Sequence, residues 1–290
     1  MVDLTLEVMQ RRWPHGDQHV PGLIEGIVAA APTVFPKYGL DTPLVIAHAM
    51  AQFSEECGQG LEMIENMNYS EAGLLKTFPT HFTATMAQNY AHNPRMIADI
   101  AYGGRMGNAP PPSDDGFNFR GRGLSQVTGR EGYTKLQNFL TEKGVNIDIL
   151  TNPELISDPH FTLECGVADY ILCGCLPHAE ADDIIAETKA LNGGLNGLAE
   201  RERQLALWKR ELLGGAAAGG VGGGVAAHDT KWVQGSLNQL GANPPLNVDG
   251  QSGPATQAAI RSFQQKAGLP VDGVAGPQTI AAIEQALAKG

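Results

Sequence analysis

The chain has 290 residues, a formal net charge of −11 and 36 glycines. That length suits one large or two smaller domains. No apolar run reaches the roughly 20 residues of a membrane span, and so acidic a chain lacks the basic face that nucleic acid binding requires. The acidity is uneven: from His228 onward four Lys/Arg face four Asp/Glu, so residues 1–227 carry 16 against 27. No cationic amphipathic tail is present to anchor the chain on an anionic membrane. The opening MVDLTLEVMQRRWPHG lacks a charged start followed by a long apolar region, so synthesis in the cytoplasm without a signal peptide is expected. Cys173 and Cys175 are too close for an easy bridge, Cys57 and Cys165 are isolated, and the His spacing is not that of a zinc site. Reduced, structural thiols and no metal or cofactor are the expectation.

In chain order, residues 21–38 place Leu23, Ile27, Ala30, Val34 and Tyr38 at helical spacing, with Gly39 as the stop and Pro32 and Pro36 predicting a kink or break. Residues 41–70, DTPLVIAHAMAQFSEECGQGLEMIENMNYS, follow. Asp41 or Thr42 can cap a helix and Pro43 suits its first position. Ile46, Ala49, Met50 and Phe53 then form an apolar stripe that Glu56 continues, while Glu55 points about 100° away, towards water. A carboxylate that loses hydration holds its proton to higher pH, as a general acid must. The following loop offers Glu62 and Glu65, the latter in ENMNYS, whose Asn68 and Tyr69 suit sugar hydroxyls. Two carboxylates in unequal settings are what glycoside hydrolysis requires. An amphipathic helix with a solvated end fits the same residues.

Residues 71–82 predict a short helix and turn, and residues 84–102 two helical pieces interrupted at Asn93-Pro94. Residues 103–133 are rich in Gly and Pro and too long for an ordinary connection. Within them GLSQVTG predicts a strand lining a cleft, with Gln126 and Thr128 on one side; a glycine-rich surface loop is the alternative. Helices are expected over 133–141 and 159–175, then two more joined by NGGLNG, where Asn192 serves either a simple turn or a substrate contact. Residues 214–227 contain only Gly, Ala and Val and form a linker able to span on the order of 20 Å. Beyond it, VDGQSGPATQAAI at 248–260 and VDGVAGPQTIAAI at 271–283 match at nine of 13 positions. In each, Asp-Gly turns (Asp249, Asp272) and Gly-Pro opens a helix; with a helix around Trp232 to Leu240 they make a three-helix module.

The segment Lys231–Leu287, through LNQLG, FQ and the two VDGxxGPxT copies, resembles the peptidoglycan-binding domain type 1 family. The resemblance implies the bacterial cell wall as ligand, with Asp249 and Asp272 in the wall-binding turns. Residues 51–201 resemble the chitinase-like lysozymes of glycoside hydrolase family 19, through AQFSEECGQG, ENMNYSEAGLLKTFP, AYGGRMGN, FRGRGLSQVTGREGY and LNGGLNGLAER. This resemblance implies Glu56 as general acid, Glu65 as the base that activates water, Gln126 and Thr128 as the cleft segment, Asn192 as a substrate ligand, and Arg201, with Arg203 as the neighbouring alternative, as the cation supporting the carboxylates. An inverting mechanism is implied, with room for a water between the carboxylates. The chain departs from the family's pattern in having Glu55 where His is common, Gly132 where Asn is frequent, and Cys57 in place of a small hydroxyl residue.

The expected architecture is mostly α: a lysozyme-like catalytic domain over 1–213 with a small cleft-lining β element, a linker over 214–227, and a three-helix wall-binding module over 228–290. The expected function is an endolysin-type hydrolase of the β-1,4 bond between N-acetylmuramic acid and N-acetylglucosamine. Peptidoglycan is the expected partner and the chain is expected to act as a monomer; release to the host periplasm by a separate holin-type partner fits the missing signal peptide, and a bacterial origin or export by a specialised machine fits it equally well. A chitinase, a non-catalytic wall-binding protein and, more distantly, a metal-dependent amidase or peptidase are the rival readings.

Overall fold

The computed structural model describes residues 4–213, 230–248, 250, 254–269, 271, 273, 275 and 277–287. The chain divides into two compact units, Met1–Ala218 and Gly219–Gly290. It is mostly helical, and among the described residues β pairing is confined to two isolated bridges, Ile64 with Arg122 and Arg122 with Val127. The first unit contains α1 (Leu6–Arg12), α2 (Leu23–Lys37), α3 (Pro43–Glu56), α4 (Glu71–Thr77), α5 (Ala84–Tyr90), α6 (Pro94–Tyr102), α7 (Asp115–Asn118), α8 (Gly129–Glu142), α9 (Thr162–Leu172), α10 (Leu176–Glu180), α11 (Ile184–Asn192) and α12 (Leu198–Leu212).

The central helix is α3. Thr42 caps it by accepting from the Val45 N–H at 3.3 Å, and Pro43 takes the first position, where no donor is needed. Every residue from Val45 to Ser54 is buried, so the apolar stripe belongs to a helix enclosed on all sides by α9, α10 and α12. The contact with α12 is reinforced by Ser54, whose Oγ accepts from Trp13 Nε1 at 2.9 Å and Trp208 Nε1 at 2.8 Å while donating to the Met50 carbonyl. Both indoles are fully buried, and the bonds satisfy their polar edges.

Helix α2 runs through Pro32 and Pro36 as one helix, so the prolines do not break it. The two prolines are four residues apart and both exposed, so they lie on the face of α2 turned away from the core. At Asn93-Pro94 the predicted interruption is present: His92 adopts φ +60 and Asn93 caps α6 through the Met96 N–H.

The first unit has two apolar clusters. The larger gathers α2, α3, α8 and α9 around Phe53, Tyr133 and Tyr170; the smaller packs Met67, Leu74, Phe82, Ile97 and Ala101 from α4 to α6 and their approaches. Residues 64–66 pass from one to the other, since Met63 belongs to the larger and Met67 to the smaller.

Behind α3 lies a buried polar chain. His48, fully buried, places Nδ1 2.6 Å from Glu187 Oε2 and Nε2 2.8 Å from Asp182 Oδ1, and Tyr170 donates to the other Glu187 oxygen. Burial alone would depress the His48 pKa, but the two carboxylates outweigh it and raise it.

In the second unit α13 (Thr230–Gln239), α14 (Pro254–Ala267) and α15 (Pro277–Leu287) bury Val233, Leu237, Leu246, Ile260 and Ile283 together. The internal repeat is also a repeat of hydrogen bonds. Gln234 accepts from the Gly250 N–H at 2.9 Å and donates to Thr256 Oγ1 at 3.1 Å; Gln264 accepts from Gly273 N–H at 2.9 Å and donates to Thr279 at 3.0 Å. Gly250 and Gly273 both have φ near +80, the conformation the Asp-Gly turns demand of glycine. Asp249, Asp272 and the 214–227 linker lie outside the described residues.

Because the folded pKa of His48 is raised, its stabilisation is full below the ordinary histidine value of about 6.5 and is lost as pH rises through the folded value. Thermal unfolding of the wild type is expected to show a midpoint that falls over that window; a flat profile would contradict the doubly paired imidazolium. His48→Ala is expected to cost about 3–5 kcal/mol in chemical denaturation, because it leaves the buried Glu187 without a cation.

Candidate active site

Glu56 ends α3, and its Oε1 accepts from Arg201 Nη2 at 2.6 Å. Arg201 enters from α12, is 1% exposed, and is fixed from two further sides: Nη1 donates to Gln52 Oε1 at 2.6 Å and Nε to the Asn196 carbonyl at 3.2 Å. Gln52 and Glu56 are one helical turn apart, so α3 presents both acceptors along one line to a single guanidinium. Arg203 instead pairs with Glu200 on the exposed side of α12, so of the two candidate cations it is Arg201 that meets the carboxylate.

Glu55 differs from the expectation. Its carboxylate does not turn to water but to Arg201, accepting from the same Nη2, and its side chain is only 24% exposed. A tertiary partner supplied by α12 overrides the direction that helical spacing alone assigns.

Glu65 sits on the crossing between the two apolar clusters. Its backbone N–H donates to the Gly121 carbonyl at 2.8 Å, and its Oε2 accepts from the Gly121 N–H at 3.1 Å. Its Oε1 accepts from the Tyr102 hydroxyl at 2.5 Å. Burial first, then the bond to Glu65, pushes the Tyr102 phenol well up, so it remains a donor. Each carboxylate oxygen therefore has one fixed donor and a free lone pair.

GLSQVTG, residues 123–129, is not a strand. Gly123 and Gln126 have φ of +78 and +54, and the backbone turns so that Arg122 and Val127 exchange both hydrogen bonds. Thr128 Oγ1 donates to the Gln126 carbonyl at 2.8 Å, and Gln126 Nε2 donates to the carbonyls of Glu62 and Gly123; both side chains approach Gly121. A Cβ on Gly121 would stand 2.8 Å from Gln126 Oε1 and 3.4 Å from both Glu65 Cβ and Thr128 Oγ1, so this glycine lets the three groups converge. The turn is held from beneath by Arg122, 1% exposed, which donates to Glu154, Tyr133 and the Asn118 carbonyl. Arg130 locks the preceding loop through a two-point bond to Asp115.

The remaining predicted residues are held by bonds and contacts of their own. Asn68 is exposed and bonded to His92 at 3.0 Å, and Tyr69 packs edge-on against Phe78. Asn192 ends α11 and accepts from Asn196 at 3.4 Å, which ties it indirectly to Arg201. Gln52, Tyr102 and Gly121 escaped the sequence reading. Gln52 had a signal, the i, i+4 spacing to Glu56; Tyr102 and Gly121 had none.

A cavity of about 230 Å³ between α2 and the start of α3 is lined by Ala31, Phe35, Leu40 and Ile46, with Asp41 its one carboxylate. It lies about 15 Å along α3 from Glu56 and offers no acid–base pair. Among the described residues no group of three or more His, Cys, Asp or Glu is placed to hold a metal ion. All four cysteines are free, and burial pushes the Cys57 thiol up to about 12, so it is no nucleophile at neutral pH.

Removing the buried guanidinium and removing its neighbour should differ sharply. Arg201→Ala is expected to cost about 3–5 kcal/mol by leaving two half-buried carboxylates side by side without a cation, whereas Arg203→Ala changes stability by less than about 1 kcal/mol, as an exposed pair does. Urea titrations of the two variants check this; equal losses would contradict it.

With this geometry in view, comparison with known proteins is informative. The chain is 32% identical over 182 residues to a glycosyl hydrolase family 19 domain-containing protein of Haemophilus influenzae, a match covering 62% of this chain and 86% of that protein. Residues 227–283 match the peptidoglycan binding domain family. The chain therefore belongs to glycosyl hydrolase family 19 and carries a peptidoglycan-binding domain behind its hydrolase part.

Proposed function

We propose that this chain is a two-domain peptidoglycan hydrolase that cleaves the β-1,4 bond between N-acetylmuramic acid and N-acetylglucosamine with inversion. The observation that carries the reading is the contrast between its carboxylates: Glu56 held by a buried arginine at a helix end, Glu65 fixed by Tyr102 and Gly121 on a separate segment. Glu56 gives its proton to the glycosidic oxygen as the bond to the anomeric carbon breaks. A water attacks that carbon from the opposite face, and Glu65 takes the water's proton. Proton exchange with solvent then restores both groups.

Gln126 and Thr128 help position the water and the sugar; Asn68, Tyr69 and Asn192 contact sugar at the edges. Residues 1–213 form the catalytic domain in this reading, 214–227 the tether and 228–290 the wall-binding module, with Asp249 and Asp272 in its binding turns. Tethering raises the effective concentration of the hydrolase at an insoluble polymer without new contacts at the site. The protein acts as a monomer at the cell wall, reached with the help of a membrane-permeabilising partner. No described helix is long and apolar enough to cross a membrane.

Glu56→Gln and Glu65→Gln are each expected to lower reducing-end release from purified peptidoglycan by about 10²–10⁴-fold, with unchanged circular dichroism. Retained activity in Glu56→Gln would remove it as the acid. A preference for soluble N-acetylglucosamine oligomers over peptidoglycan would replace the reading with a chitinase.

A further inference from the structure

Glu55 directly precedes Glu56, and the structure gives it a built seat. Arg201 Nη2 donates both to Glu55 Oε2 and to Glu56 Oε1, the latter at 2.6 Å, so one nitrogen is divided between two carboxylates. Arg201 cannot swing to favour either one, because Gln52 and Asn196 hold its other nitrogens. The seat also requires Gly197, which opens α12 at φ +70: a Cβ there would lie 2.0 Å from Glu55 Oε1.

The charges around this cluster are mostly negative. Glu62 follows α3, Glu200 lies on α12, and Asp169 faces Glu56 from α9 with its pKa pushed up to about 6, chiefly by burial. Burial also raises the Glu55 carboxyl; Arg201 opposes this and Glu56 adds to it. A buried arginine bound to Glu56 alone would favour the carboxylate over the acid, the wrong form for donating a proton.

We propose that Glu55 is a positioning residue which, by sharing Arg201, draws cationic charge away from Glu56 and leaves it able to hold the proton it donates. The inference rests on the assignment of Glu56 as the acid. It predicts an effect that simple structural support would not produce: the position of the alkaline limb of the pH–rate profile.

The test is kcat and KM on purified peptidoglycan across pH 4–9 for the full chain, Glu55→Gln, Gly197→Ala and Glu56→Gln. Glu55→Gln can keep a hydrogen bond to Arg201 but loses the charge; Gly197→Ala keeps the charge but displaces it. Both are expected to move the alkaline limb down by about one pH unit, a tenfold loss of kcat above the limb, with KM within about twofold. An unshifted limb, or a loss of kcat uniform at every pH, in whichever of the two variants folds would overturn the proposal while leaving Glu56 as the acid if Glu56→Gln is inactive. Activity in Glu56→Gln would overturn both assignments.

Discussion

The site depends on one buried cation. Taking a guanidinium out of water costs several kcal/mol unless its donors are met, and Arg201 meets them with Gln52, Glu55 and Glu56 from α3 and the Asn196 carbonyl from the turn before α12. This requirement fixes how α12 lies against α3. Trp208, seven residues further along α12, reinforces the same pairing through Ser54 of α3, which Trp13 also bonds. Glu56 is thus held by the helix contact that also builds the core.

Glu65 is held by different means. Glu65 lies where the chain leaves the larger apolar cluster for the smaller, and it is tied to α6 through Tyr102 and to the Arg122 turn through Gly121. Side-chain bonds to Glu154, Tyr133 and backbone carbonyls order that turn, so a glycine-rich segment becomes a defined wall. Glu56 is thus fixed by a helix pairing, and Glu65 by bonds to two different segments.

Much of this was legible in the sequence because it is local. The Thr42 cap, the Pro43 start, the stop and restart at Gly193 and Gly197, and the interruption at Asn93-Pro94 follow from single residues and their backbone preferences. What failed was long-range or conformationally special. Glu55 turns inward for a partner 146 positions away, which helix periodicity cannot register. GLSQVTG looks like a strand by composition, but positive φ at Gly123 and Gln126 makes it a turn. The glutamine clamps of the second unit were hidden because Gln234 precedes its glycine by 16 positions and Gln264 by nine, so the repeat is one of structure more than of spacing.

The most direct test of the account is the identity and anomeric form of the fragments released from purified, metal-free peptidoglycan, followed by mass spectrometry and early-time NMR. The account predicts N-acetylmuramic acid at the new reducing end, first appearing as the α anomer, the inverted product of a β bond. N-acetylglucosamine at that end, an initial β anomer, or free stem peptides would contradict it.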